Sequence, residues 1–169
     1  MQSGAMSRRL LVGGGASFLG LLSRPALAAD AGLSRAWAEL VLEDEDGAEF
    51  RVADLDAPLK LVKLWAHWCP GCLAEIASLT GSGRALSRQG VSTLFVSQAE
   101  DWARDREVAH RYGLPFRLAR PSPHNASGTV ASALLDRGGG FVVPRALLFR
   151  GGDALVWNRI GATDWAHIG

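Results

Sequence analysis

The chain has 169 residues, 18 Lys+Arg against 17 Asp+Glu, with 48% hydrophobic and 21% charged residues. That length suits one domain with a real core, and this charge content beside 6 Trp, 1 Tyr and 6 Phe excludes an intrinsically disordered chain. A formal net charge of +1 gives no electrostatic footprint for nucleic acid or an anionic membrane surface.

The first stretch reads as an address. Residues 1–29 carry Arg8, Arg9 and Arg24 and no acid, while the remainder is slightly acidic. An apolar run from Leu10 to Leu22 is followed by Ala26-Leu27-Ala28, a small-x-small cleavage pattern. Residues 1–28 are therefore expected to form a secretory signal, followed by a single domain over 30–169. Read instead as an anchor, the apolar run would reach only about 20 Å as a helix, against about 30 Å of hydrocarbon. Ser7-Arg8-Arg9-Leu10-Leu11 also resembles a twin-arginine signal. Export implies a periplasmic, oxidising setting.

Next comes a predicted hairpin, with Glu39–Glu43 and Ala48–Val52 flanking Asp46-Gly47. Leu59–Trp65 has the apolar content of a buried strand. Cys72, Ile76, Leu79, Gly83 and Leu86 then recur at helical spacing, and Gly81-Ser82-Gly83 is expected to kink or end that helix. Val91–Ser97 reads as a second interior strand, and Asp101 as the cap of a helix from Trp102 to Tyr112. A strand at Phe116–Ala119 and a helix near Ser127–Leu135 follow. Phe141–Pro144 leads into Ala146–Phe149, and Gly151-Gly152 turns the chain into Ala154–Trp157. The pattern is α/β, a mixed sheet with a C-x-x-C motif at a strand-to-helix junction.

Cys69 and Cys72, in Trp68-Cys69-Pro70-Gly71-Cys72, are the only cysteines. A structural disulfide closing so short a ring is worth only about 2 kcal/mol by loop entropy. Zinc would need two more ligands, and His67, His110, His124 and His167 lack H-x₃₋₅-H spacing. A redox dithiol fits better, because a thiol at a helix start meets unsatisfied N–H groups that favour thiolate. No metal or bound cofactor is expected.

Leu64-Trp65-Ala66-His67-Trp68-Cys69-Pro70-Gly71-Cys72 resembles the active-site segment of thioredoxin-like proteins, in particular the exported TlpA/ResA-like disulfide reductases. The resemblance runs from about Trp37 to Ala162, supported by Val143-Pro144 and Ile160-Gly161. It implies a thioredoxin fold: a central mixed β-sheet flanked by helices, with an additional N-terminal β-hairpin. Gly71 stands where this subgroup often has a second proline, and Ala77 replaces a common proline. Only Thr163–Gly169 remains for a C-terminal helix.

The resemblance also assigns roles. Cys69, the more exposed thiol, would attack, and Cys72 would resolve the mixed disulfide. Trp68 would cover the pair, and Val143-Pro144 resembles a cis-proline loop whose backbone pairs with substrate. Arg145 is either a solvated surface residue or a cation near Cys69 that favours thiolate. Lys63, six residues before Cys69, and Glu75, three after Cys72, are expected to approach each other behind Cys72 and to hold or exchange its proton. The alternative leaves Lys63 snorkelling to solvent and Glu75 on an exposed helix face. His67 is read as a partly exposed packing residue or as a group tuning Cys69. Asp105 and Glu107, interleaved with Arg104, Arg106 and Arg111, suggest a solvated helix face. Asn125-Ala126-Ser127 matches a glycosylation sequon by coincidence.

The implied function is an exported thiol–disulfide oxidoreductase, acting as a monomeric reductase on protein thiols such as cytochrome c or copper-site cysteines. Its reductant would be a membrane thiol electron carrier. An alternative is copper delivery by the two cysteines with His124 or His167, since soft thiolates suit Cu(I). A peroxidase would need Thr or Ser three residues before Cys69, where Ala66 stands.

Overall fold

The computed structural model describes residues 25–162 apart from positions 99 and 137, with the backbone alone over 25–30 and 80–85. The expected signal lies outside the described residues up to position 24, and Pro25–Ala28 open the first helix. The expected C-terminal helix over Thr163–Gly169 also lies outside them. Among the described residues no helix is long and apolar enough to cross a membrane.

Helix α1 (Pro25–Glu39) precedes β1 (Leu42–Asp44) and β2 (Glu49–Phe50), and a 3-10 turn (Val52–Asp54) leads to β3 (Leu59–Trp65). Then come α2 (Pro70–Arg88), β4 (Val91–Ser97), α3 (Trp102–Arg111), β5 (Arg117–Pro121), α4 (Ser127–Leu134), β6 (Arg145–Arg150) and β7 (Ala154–Ile160). One seven-stranded sheet runs β2-β1-β5-β4-β3-β6-β7. β3, β4 and β5 are parallel, whereas β6 joins β3 and β7 joins β6 antiparallel. This is the thioredoxin fold, with the N-terminal hairpin added beside β5.

Alternation along the strands divides the core into two layers. Val62, Leu64, Leu94, Val96, Leu147 and Phe149 pack against Trp37 of α1 and Leu134 of α4. Leu61, Trp65, Phe95 and Ala146 pack against Ile76 and Leu79 of α2 and Val108 of α3. The cysteines belong to this second layer. Phe95 joins its aromatic contacts, stacking on Phe116 and meeting Trp65 edge-on.

Two expectations are corrected. Glu39 ends a helix rather than starting a strand, because Leu33, Ala36, Trp37 and Leu40 recur at helical spacing and form one packed face. The first hairpin strand therefore begins at Leu42, and Gly47 supplies the turn with φ +82°. Helix α2 also runs unbroken through Gly81-Ser82-Gly83 to Arg88. Buried Leu79 and Leu86 bracket the glycines, so tertiary packing outweighs their poor propensity.

Asn125 is part of the scaffold. Its Oδ1 accepts from Val41 N at 2.9 Å, and its Nδ2 donates to Val41 O at 2.7 Å and Ser122 O at 2.8 Å. A glycan on Nδ2 would displace both carbonyls, which agrees with reading the sequon as coincidence. Asn125→Ala is expected to cost roughly 1–2 kcal/mol, because three hydrogen bonds are lost at a half-buried site. Urea unfolding of the variant against the parent measures this.

Candidate active site

β3 ends at Trp65, and a turn closed by Cys69 N donating to Ala66 O at 3.0 Å carries the chain to α2. Pro70 is the first helical residue, where its missing N–H has no cost. Cys69 thus sits at the helix start, and its O accepts from Cys72 N at 3.0 Å and Leu73 N at 3.1 Å. Its Sγ also accepts from Cys72 N at 3.2 Å. The same N–H, with the positive helix end, stabilises a thiolate at Sγ once the pair is reduced.

Cys69 and Cys72 form a disulfide, their Cα atoms 5.3 Å apart. Cys69 is 4% exposed against 2% for Cys72, so it is the more exposed thiol although both lie inside the α2–α3 layer. Trp68, next to Cys69, is half exposed. The Val143–Pro144 bond is cis. A Cβ placed on Gly71 would meet Pro144 Cγ at 3.5 Å and Cδ at 3.6 Å, so the Pro144 ring lies against the Pro70-Gly71 turn.

Arg145 does not reach the dithiol. It is buried, it pairs with Leu64, and its Nε donates to Asn158 Oδ1 at 2.9 Å. The reason is strand parity: Ala146 faces the cysteines, so Arg145 faces the α1–α4 layer. There it lines a cleft of about 690 Å³ together with Leu33, Ser132, Asn158 and Ile160. Both expected readings, a solvated surface residue and a cation beside Cys69, are thereby corrected.

Lys63 and Glu75 meet in the dithiol layer. Lys63 Nζ lies 2.8 Å from Glu75 Oε2 and donates to Oε1 at 3.1 Å, with both side chains buried. Glu75 is one helical turn beyond Cys72, and Lys63 projects from the same face of β3 as Leu61 and Trp65. Burial pushes the Lys63 ammonium below the ordinary lysine range, and the Glu75 carboxylate opposes that shift.

One residue that sequence reasoning missed is Asp105. Its carboxylate is fully buried and accepts from the His67 backbone N at 2.7 Å and from Ser97 Oγ, while Oδ1 lies 2.6 Å from His67 Nδ1. It therefore ties α3 and the end of β4 to the turn that presents Cys69. The signal was its place in Asp105, Val108 and Ala109, a buried i, i+3, i+4 stripe on α3. The solvated-face reading holds for Arg104, Glu107 and Arg111 and fails for Asp105. Beside this turn His67, Trp68, Gln98, Glu100, Asp101 and Phe141 line an open groove of about 300 Å³. Among the described residues no group of three or more His, Cys, Asp or Glu side chains is placed to hold a metal ion. His124 is exposed on a loop, and His167 lies outside the described residues.

A Cys-x-x-Cys pair at a helix start, against a cis-proline and on one mixed seven-stranded sheet, defines a thioredoxin-like redox domain. Residues 34–134 match the AhpC/TSA family, and the chain belongs to that family. It is 30% identical over 80 residues to the thiol-disulfide oxidoreductase ResA of Geobacillus thermodenitrificans, covering 47% of this chain and 46% of that protein. It is 28% identical over 99 residues to the thiol:disulfide interchange protein DsbE of Allochromatium vinosum, covering 52% and 53%. The chain thus spans about half the length of the curated relatives it matches. In fold it is similar to the thioredoxin domain of a Bacteroides vulgatus thiol-disulfide oxidoreductase, with TM-score 0.60 at 15% identity, over 73% of this chain and 84% of that one. A secreted disulfide oxidoreductase of Mycobacterium tuberculosis gives TM-score 0.55 at 22% identity, over 75% and 89%.

The buried ion pair generates a stability prediction. Lys63→Met leaves the Glu75 carboxylate buried without its cation and is expected to cost about 3–5 kcal/mol at neutral pH. Lys63→Met combined with Glu75→Leu should recover most of that loss. Because folded Lys63 releases its proton at lower pH than the unfolded residue, the unfolded state binds more protons between the two values. Parent stability relative to the double variant should therefore rise with pH between the folded and the unfolded lysine values. Urea melts across pH, on all three proteins, read both effects.

Proposed function

We propose that the chain is an exported thiol–disulfide oxidoreductase that works as a disulfide reductase. The carrying observation is the Cys69–Cys72 pair at the start of α2, against cis-Pro144. The names of the ResA and DsbE relatives support the same reading.

In the reduced protein, Cys69 thiolate attacks one sulfur of a substrate disulfide. The substrate S–S bond breaks, a Cys69–substrate bond forms, and the first substrate sulfur leaves as thiolate and takes up a proton. Cys72, losing its proton, then attacks Cys69 Sγ and expels the second substrate sulfur. Two electrons pass to the substrate, which becomes a dithiol, and the protein is left as the Cys69–Cys72 disulfide. Glu75 receives the Cys72 proton, and Lys63 stabilises the Glu75 carboxylate between turnovers. Val143-Pro144 aligns the substrate backbone, and Trp68 flanks the attacking sulfur.

Substrates are protein thiols of the kind found in cytochrome c or copper sites, and a membrane thiol electron carrier returns the electrons. The setting is periplasmic, with the signal cleaved near Ala28, and the working unit is a monomer.

Dithiothreitol-driven insulin reduction tests the activity. Cys69→Ser should abolish it, and Cys72→Ser should accumulate a mixed disulfide visible by mass spectrometry. Glu75→Gln should slow resolution while leaving the first attack intact. Equilibration with glutathione should give a potential at or below about −220 mV. Parent protein inactive on insulin and on small disulfides alike would defeat the proposal.

A further inference from the structure

The groove beside the active-site turn has an unusual lining. Its two largest side chains, Trp68 and Phe141, are both half exposed. The polar groups between them are acceptors. Glu100 and Asp101 contribute exposed carboxylates. Gln98 is 4% exposed, its Nε2 donates to Leu134 O at 3.3 Å, and its buried Oε1 has no hydrogen-bond partner among the described residues. A buried acceptor left unmatched costs about 1–3 kcal/mol, which a donor brought by a ligand would recover. His67 completes the lining, its Nδ1 2.6 Å from Asp105 Oδ1.

The walls are held in place. The Nε2 bond of Gln98 links the end of β4 to the end of α4. Leu135 and Phe141 form a β-bridge, and Asp136 Oδ1 accepts from Gly138 N at 2.8 Å and Gly140 N at 2.9 Å, fixing the loop that carries Phe141. Asp101 Oδ1 accepts from Arg104 N at 2.9 Å, so its carboxylate is anchored as the cap of α3.

We infer that this groove is a subsite for a basic side chain, arginine or lysine, that flanks the reacting cysteine in the protein substrate. The occupant follows from complementarity. A guanidinium or ammonium carries only donors, which match Gln98 Oε1 and the Glu100 and Asp101 carboxylates. Its positive charge is also attracted to the faces of Trp68 and Phe141. Trp68 is joined directly to Cys69, so a side chain seated here belongs to residues next to the substrate sulfur. The inference rests on the disulfide-exchange reading and names the substrate class of that same site.

The test uses short peptides whose single cysteine is a mixed disulfide with thionitrobenzoate, offered to pre-reduced protein. One peptide has arginine beside the cysteine, and the matched peptides have norleucine or glutamate there. Attack by Cys69 on the peptide sulfur releases thionitrobenzoate, which is read by absorbance. The arginine peptide should react with a second-order rate constant on the order of tenfold above norleucine, and glutamate should be slowest. Glu100→Gln with Asp101→Asn keeps a good helix cap and should bring the arginine-to-norleucine ratio towards one. Glu100→Lys should move the preference towards glutamate. Equal rates for the three peptides, or a norleucine preference showing an apolar subsite, overturns the inference while leaving the oxidoreductase reading standing. Release from none of them overturns that reading, and the subsite with it.

Discussion

Strand β3 is buried along six of its seven residues, and the direction of each side chain follows from its place in that strand. Leu61, Lys63 and Trp65 face the α2–α3 layer, while Val62 and Leu64 face α1 and α4. Pairing with β4 on one side and β6 on the other removes any freedom of register, since a slip by one residue would exchange the two sets. The dithiol inherits this constraint. Its turn begins where β3 ends, so the cysteines enter the layer that already holds Lys63 and Ala146. Arg145, paired with Leu64, is sent to the other layer by the same rule.

The second constraint comes from outside the motif. Asp105 stands 36 residues after Cys69 in sequence, yet its carboxylate holds the His67 backbone N–H and the Ser97 hydroxyl while meeting the His67 ring. An ionised carboxylate in a dry core persists only when its acceptor capacity is used by donors. Here the donors come from the active-site turn and the adjacent strand. The helix is thereby coupled to the turn by charge-assisted hydrogen bonds, which are stronger than neutral ones.

What could be read from the sequence tracks how local the governing interaction is. Leu59–Trp65 and Val91–Ser97 were recovered to the residue, because fully buried strands appear as continuous apolar runs. Asp101 was legible as a cap, since capping is decided within four residues. Helix α1 was obscured because Leu33, Ala36, Trp37 and Leu40 carry a stripe that only a 3.6-residue period exposes, and a signal-like segment runs into it. The meeting of Lys63 with Glu75 was expected from the resemblance, which puts a polar residue six before Cys69 and an acid three after Cys72. Asp105 and Arg145 were misread for one reason: a charge was assigned to solvent from its type, when helix phase and strand parity place both inside.

The two buried lysines of β3 show how position decides what a buried charge is for. Lys60, near the start of the strand, donates to carbonyls of Ala53, Gly151 and Gly152, tying the 3-10 turn to the β6–β7 turn. Neutral carbonyls satisfy that ammonium without a second charge having to be desolvated. Lys63 is instead met by a carboxylate in the layer of the cysteines, so two ions are withdrawn from water. A buried ion pair of this kind is commonly no more stabilising than a well-packed apolar pair of the same volume. Fold stability therefore gives little reason for lysine and glutamate at these two positions. On the proposed mechanism Glu75, one turn past Cys72 on the same helix, offers a different reason: it takes the Cys72 proton while the Lys63 ammonium stays to balance the thiolate charge that this transfer creates.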